Sequence, residues 1–232
     1  MHYIPLALPF FLVLFVLFGL LIILIEIGIL QYAYEKMGID RRYIFTLLFL
    51  SLLGSYVNIP VAELPAEYVH SGQVVTFYGM RYVVPVVREW PRTIIAVNVG
   101  GAVIPVILSV YLLIKNSIYT RGFIAVAIVT FVVHLVAHPV PGVGIAEPPF
   151  APPLVATAVA VLLSRQYAAP LAYVAGSLGT LIGADLLNLW KIQGLGAPVA
   201  SIGGAGTFDG IFVTGILAVL LAGMMTRKPR PA

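Results

Sequence analysis

Asp185 and Asp209 are the residues of this sequence best suited to chemistry. Asp185 lies in Gly183-Ala184-Asp185-Leu186-Leu187 and Asp209 in Gly206-Thr207-Phe208-Asp209-Gly210, both within strongly apolar surroundings. Two carboxylates brought face to face cannot comfortably hold two negative charges, so they share a proton. One is then a base that activates water, and the other an acid that protonates a carbonyl or a leaving group. That is the chemistry of aspartic peptide hydrolysis. Taken singly, each aspartate is as well explained as a helix cap or as a partner of Ser, Asn or backbone groups. The glycines around Asp209, Gly206 and Gly210 among them, let another backbone come close. A peptidase needs that closeness to read an extended substrate.

His134 and His138 offer a second chemistry. Their i, i+4 spacing puts both on one face of a helix and suits two ligands of one metal. Asp185, Asp209 or Glu147 would complete a zinc site with water in the fourth position, and the zinc-bound water would be the nucleophile. The competing expectation is two imidazoles hydrogen-bonded at a wet helix end, terminated by Pro139 and Pro141. A third is that they orient an aspartate. Ser201 as a serine nucleophile with either histidine lacks a supporting general-base spacing. There is no Cys, hence no thiolate ligand or nucleophile.

The elements that position these groups follow from composition. Of the 232 residues 61% are hydrophobic and only 9% charged, with a mean hydropathy of +1.05. A soluble domain carries roughly 25% charged residues because its surface faces water. This chain is therefore expected to be a single, all-α integral membrane domain over 1–232. Seven apolar stretches of about 20 residues fall near 5–30, 43–61, 93–114, 122–138, 149–164, 168–189 and 207–226. The first is too long, and lacks the basic start, for a signal peptide.

Nine basic residues (Lys36, Arg41, Arg42, Lys115, Arg121, Arg165, Arg227, Lys228 and Arg230) fall on one side of such a bundle, against four (Arg81, Arg88, Arg92 and Lys191) on the other. Basic loops stay in the cytoplasm. The N-terminus is then outside, the C-terminus cytoplasmic, and the protein a multi-pass one of the cell membrane. The net charge of +4 is a topology signal, and no nucleic-acid partner is expected. In the outer loop 62–92, Val74-Val75-Thr76-Phe77 and Arg81-Tyr82-Val83-Val84 flank Tyr78-Gly79-Met80 and predict a β-hairpin, with Pro85 at an edge.

This topology gathers polar residues. Asn58, Asn98, His134, His138, Glu147, Asp185, Asn188 and Asp209 all fall at outer helix ends, and Glu26 alone departs from the pattern. Asp185 lies some 6 Å below the end of its helix, at about 1.5 Å per residue, and Asp209 at a comparable depth. Intramembrane polar residues are costly and mark function. Proline runs at 139–141 and 148–153 frame Glu147 in a rigid, non-helical segment.

The stretch from Gly206 through Asp209 and Gly210 to Gly215 resembles the second catalytic helix of presenilin and signal peptide peptidase, whose signature is Gly-x-Gly-Asp followed by an apolar run. Phe208 stands at the second glycine, and Ala184 where that family has tyrosine before its other aspartate. Pro152-Pro153-Leu154 is similar to the family's Pro-Ala-Leu motif, although it precedes the aspartates here. The resemblance implies Asp185 and Asp209 as catalytic, Pro153 and the outer polar residues as substrate-binding, no cofactor, and a transmembrane polypeptide as substrate. The whole sequence also resembles an uncharacterised prokaryotic family of multi-pass membrane proteins, which implies no activity. A non-enzymatic transporter or lipid-binding protein is the remaining alternative, with membrane lipid as partner in every case. The oligomeric state has no signature in the sequence.

Overall fold

A computed structural model describes residues 16, 17, 19, 28–64, 74–77, 80–83, 93–140, 144–192, 199–204 and 210–226. The elements in chain order are α1 (Ile29–Lys36), α2 (Arg41–Gly54), β1 (Asn58–Leu64), β2 (Val74–Phe77), β3 (Met80–Val83) and β4 (Thr93–Asn98). A π turn (Val99–Val103) leads into α3 (Ile104–Asn116), followed by α4 (Tyr119–Val136), β5 (His138–Val140), β6 (Gly144–Ala146) and α5 (Ala151–Leu163). Then α6 (Ala168–Thr180) runs through a second π turn (Leu181–Asp185) into a 3-10 helix (Leu186–Lys191), before β7 (Val199–Ile202) and α7 (Gly210–Met225).

Three helical stretches, Val99–Asn116, Tyr119–Val136 and Ala168–Lys191, are long and apolar enough to cross a membrane. This is a membrane protein. Helices α2, α5 and α7 are also apolar but have only 14, 13 and 16 residues. At 1.5 Å per residue they reach about 20–24 Å, short of the ~30 Å hydrocarbon core. The first expected span falls almost wholly outside the described residues, as does Glu26.

α6 is the central helix, packed against α3, α4, α5 and α7. Its sequence, Ala-Ala-Pro-Leu-Ala-Tyr-Val-Ala-Gly-Ser-Leu-Gly-Thr, is mostly small residues, and all but Leu178 are buried. Small residues let membrane helices approach closely. A Cβ placed on Gly179 would lie 2.6 Å from Val129 Cγ1, so α4 and α6 touch almost backbone to side chain there.

The fold is not all-α. β4 is the middle strand of a three-stranded sheet. β1 pairs with it antiparallel, from Asn58↔Asn98 to Leu64↔Thr93, with an irregularity between Pro60 and Ala62. β7 pairs with it parallel, from Ile94↔Val199 to Val97↔Ile202. This corrects two expected spans. The helix expected over 43–61 ends at Gly54 and gives way to β1, and the one expected from 93 begins as β4. Thr93-Ile94-Ile95-Ala96-Val97 is a continuous apolar run rich in β-branched residues, which periodicity alone cannot assign to strand or helix. The expected hairpin is present, with Val74↔Val83 and Phe77↔Met80 as its outer and inner pairs, its second strand running over Met80–Val83 where 81–84 was expected. The segment around Glu147 contains a second hairpin, β5–β6.

Candidate active site

Asp185 sits at the last residue of the second π turn. In a regular α-helix, residues five apart point about 140° away from one another. A π turn closes i to i+5, and here Thr180 and Asp185 line the same cavity. The turn is stabilised by neighbours. Asn188 donates from Nδ2 to the carbonyls of Gly183 and Ala184, 2.9 Å to each. His134 Nδ1 faces the Gly183 carbonyl at 3.3 Å and donates to it in the Nδ1–H tautomer. These two residues serve carbonyls that the change from α to π to 3-10 geometry takes out of the regular ladder. A Cβ on Gly183 would lie 2.6 Å from the carbonyl oxygen of Thr130, so this turn is pressed onto α4.

The acid itself is fixed from the sheet. Asp185 Oδ2 accepts a 2.7 Å hydrogen bond from the N–H of Gly203, the residue after β7. Gly203 has φ +91°, and a Cβ there would lie 2.6 Å from the Ala102 nitrogen. Only glycine meets both demands at once.

Behind this contact an asparagine network ties the three strands. Asn98 is buried and caps the first π turn, its Oδ1 accepting from Gly101 N–H at 2.8 Å. Its Nδ2 donates to the Ser55 carbonyl at 2.7 Å and to Asn58 Oδ1 at 3.1 Å. Asn58 Oδ1 also accepts from the Ser201 hydroxyl at 2.7 Å, and Ser201 Oγ lies within hydrogen-bond reach of the Gly204 carbonyl. One hydroxyl proton thus serves two acceptors, which gives Ser201 a holding role.

Asp185, Thr180, Glu147 and Ser201 line one cavity of about 330 Å³. Val199, Ala200 and Ile202 of β7 form one wall, and Gly210 and Ile211 open α7 on another. Glu147 approaches this helix start, since a Cβ on Gly210 would lie 3.7 Å from Glu147 Oε1. A carboxylate is favourably placed beside the partial positive charge of a helix N-terminus. Asp209 and Gly206 lie outside the described residues, while Gly210, the residue after Asp209, lines the cavity.

Of the eight polar residues expected at outer helix ends, Glu147 and Asp185 line the cavity, Asn58 and Asn98 lie in the network behind it, His134 and Asn188 hold the π turn, His138 stands in β5, and Asp209 lies outside the described residues. Pro153 is buried in the first turn of α5, and its carbonyl accepts from Thr157 Oγ1 at 2.7 Å, so it serves the helix and does not line the cavity. Asn58 is exposed at the start of β1, where it belongs to the asparagine network.

The expectation of two histidines on one helix face is corrected. α4 ends at Val136, and His138 opens β5. Pro139 disfavours helical geometry in the residue before it, so the i, i+4 relationship is broken. Among the described residues, no three of His, Asp and Glu gather closely enough to hold a metal ion. Thr180 escaped the sequence reading, because the five-residue offset from Asp185 is meaningful only when a π turn is present.

The family model described as "Protein of unknown function (DUF1614)" matches residues 52–221. The chain belongs to that family. The matched region runs from the end of α2 into α7, and so spans Asn58, Asn98, His134, Glu147, Asp185 and Ser201. No curated protein and no solved structure matches the chain.

Proposed function

We propose that the chain is an intramembrane peptidase of the aspartic type, with Asp185 and Asp209 as its two acids, acting at the outer face of a seven-span protein of the cell membrane. The observation that supports this best is the position of β7. It is an edge strand, with no strand on its far side among the described residues, and four of its residues wall the cavity that holds Asp185. An extended peptide adds to such an edge through main-chain hydrogen bonds. Its carbonyls would then run past the carboxylate of Asp185. The resemblance of the Asp209 segment to presenilin and signal peptide peptidase points the same way.

In this reading one carboxylate takes a proton from water as the water attacks the peptide carbonyl. The other donates its proton to the carbonyl oxygen; as the tetrahedral intermediate collapses it takes a proton back from that oxygen, and the first carboxyl passes the proton gained from water to the leaving nitrogen. The Gly203 N–H holds Asp185 in one orientation throughout. Thr180 and Ser201 line the water-accessible space.

The test is cleavage of single-span peptides by the purified, membrane-reconstituted chain, comparing Asp185→Asn, Asp209→Asn and Glu147→Gln. Loss in the first two with retention in the third supports the pair as named. Retention in Asp209→Asn with loss in Glu147→Gln assigns the second acid to Glu147.

A transport reading has one observation in its favour. Tyr173, Ser177 and Thr180 place buried hydroxyls along one face of α6, leading down from the cavity. They cover about 10 Å at 1.5 Å per residue, a third of the ~30 Å core. That is too short for a polar path across the membrane, and of the three only Thr180 lines the cavity.

A further inference from the structure

A second, larger concavity, a groove of about 630 Å³, runs between α2 and α3 from the first residue of α3 to Arg42 and Lys115 at their basic ends. Its size is within the ~300–1,000 Å³ range of ligand sites. The two helices are pinned together at the other end, where a Cβ on Gly54 would lie 2.9 Å from the Gly100 nitrogen. Towards their basic ends they leave the groove open between them, walled by Leu47 and Leu50 of α2 and by Ile104 and Ile107 of α3. Leu50 and Ile107 are half or more exposed. Ile104 and Lys115 stand eleven positions apart on α3, about 16 Å of helix, which is close to one leaflet of a ~30 Å core.

The mouth is polar in a specific way. Arg42 and Lys115 both line it. The Arg42 guanidinium lies over the Tyr43 ring, 5.0 Å from its centroid, and the Lys115 ammonium over Tyr111 at 5.4 Å. Lys115 Nζ donates to the Gly38 carbonyl, which leaves two of its three N–H groups for another acceptor. Asp40 pairs with Arg42 at 3.0 Å, with both side chains largely exposed. Two cations and one anion leave the rim net positive. Cations and tyrosines at one level, above an apolar trough one leaflet deep, match a phosphate above an acyl chain.

We propose that the groove between α2 and α3 binds one anionic phospholipid, with its phosphate at Arg42 and Lys115 and an acyl chain along Leu47, Leu50, Ile104 and Ile107. This is independent of any activity at Asp185. Bulk annular lipid would fill an apolar trough without regard to headgroup, so headgroup selectivity decides between the two.

The test is native mass spectrometry of the delipidated full chain, titrated with phosphatidylglycerol or with phosphatidylcholine of the same acyl chains. The wild type is expected to prefer phosphatidylglycerol, and each cation removed, by Arg42→Gln or Lys115→Gln, to weaken that preference about five-fold. Lys115→Arg keeps the preference. Arg121→Gln, a basic change outside the groove, also keeps it. Ile107→Trp, which fills the trough, lowers occupancy by both lipids. Equal binding of the two lipids by the wild type overturns the proposal. So does an undiminished preference in the Arg42→Gln/Lys115→Gln double variant, or a loss in Arg121→Gln as large as in Lys115→Gln. Displacement of the bound lipid by inorganic phosphate alone would also contradict it, by showing an anion site with no place for a chain.

Discussion

The carboxylate of Asp185 and the backbone N–H of Gly203 meet at 2.7 Å, joining the end of the central helix to the end of an edge strand. Neither partner is free to move independently. Asp185 is carried by a π turn held by Asn188 and His134. Gly203 is lodged against Ala102. The candidate acid is therefore oriented by the same contacts that join the sheet to the helices.

Gly203→Ala is expected to destabilise the protein by about 2–4 kcal/mol, from left-handed backbone strain together with a collision at Ala102. Gly144→Ala provides the contrast. Gly144 also has positive φ, at +116°, but nothing lies within 4 Å of its Cβ position. Strain alone should cost about 1 kcal/mol there. Denaturation in detergent, followed by circular dichroism, checks the difference.

Asn98→Ala removes three hydrogen bonds at once, two of them buried and one partly buried. At about 1 kcal/mol each, and with buried partners left unsatisfied, the loss should be about 2–4 kcal/mol. Asn98→Asp should be no better. It keeps the cap on Gly101 but sets a carboxylate oxygen against the acceptors of Ser55 and Asn58. Unfolding midpoints of the two variants decide this.

Deleting Ile182 should convert the π turn into regular α-helix and leave Asp185 four residues after Thr180, about 40° away on the same helix face. The expected outcome is a folded protein with helical content and peptide cleavage retained. Loss of cleavage in the folded variant would mean that the π turn does more for the chemistry than bring Thr180 and Asp185 to one face.

If substrate pairs with the edge of β7, every second backbone N–H of the bound peptide points to the strand. N-methylation along a cleaved peptide should therefore block hydrolysis with a period of two over the four residues facing β7. Uniform tolerance along that stretch would remove strand addition from the mechanism.

Much of this was legible in the sequence, for identifiable reasons. Helices α3 to α7 follow from long apolar runs, and the hairpin from the strands read at Val74–Phe77 and Arg81–Val84 around Tyr78-Gly79-Met80, with the second strand one residue late. The polar layer follows from alternating helix direction, which puts Asn98, Glu147 and Asp185 at one end. The central sheet was hidden because Thr93-Ile94-Ile95-Ala96-Val97 reads equally as buried strand or membrane helix. The strand at His138 had a signal in Pro139, outweighed by the i, i+4 spacing. The π turns had none, since Leu181-Ile182-Gly183-Ala184-Asp185 is locally an ordinary membrane-helix sequence. Their positions are set by contacts with α4 and the sheet.

The most direct measurement is the rate at which the purified chain, reconstituted in lipid, cleaves a single-span peptide, compared with that of Asp185→Asn. Asparagine keeps the size of the side chain and an oxygen for the Gly203 N–H, so the fold should survive. The account predicts cleavage by the wild type, with products ending inside the span, and a fall of at least about 100-fold in the variant, the scale of losing an acid–base group. Equal rates in the two proteins, with both shown to be folded, would contradict it.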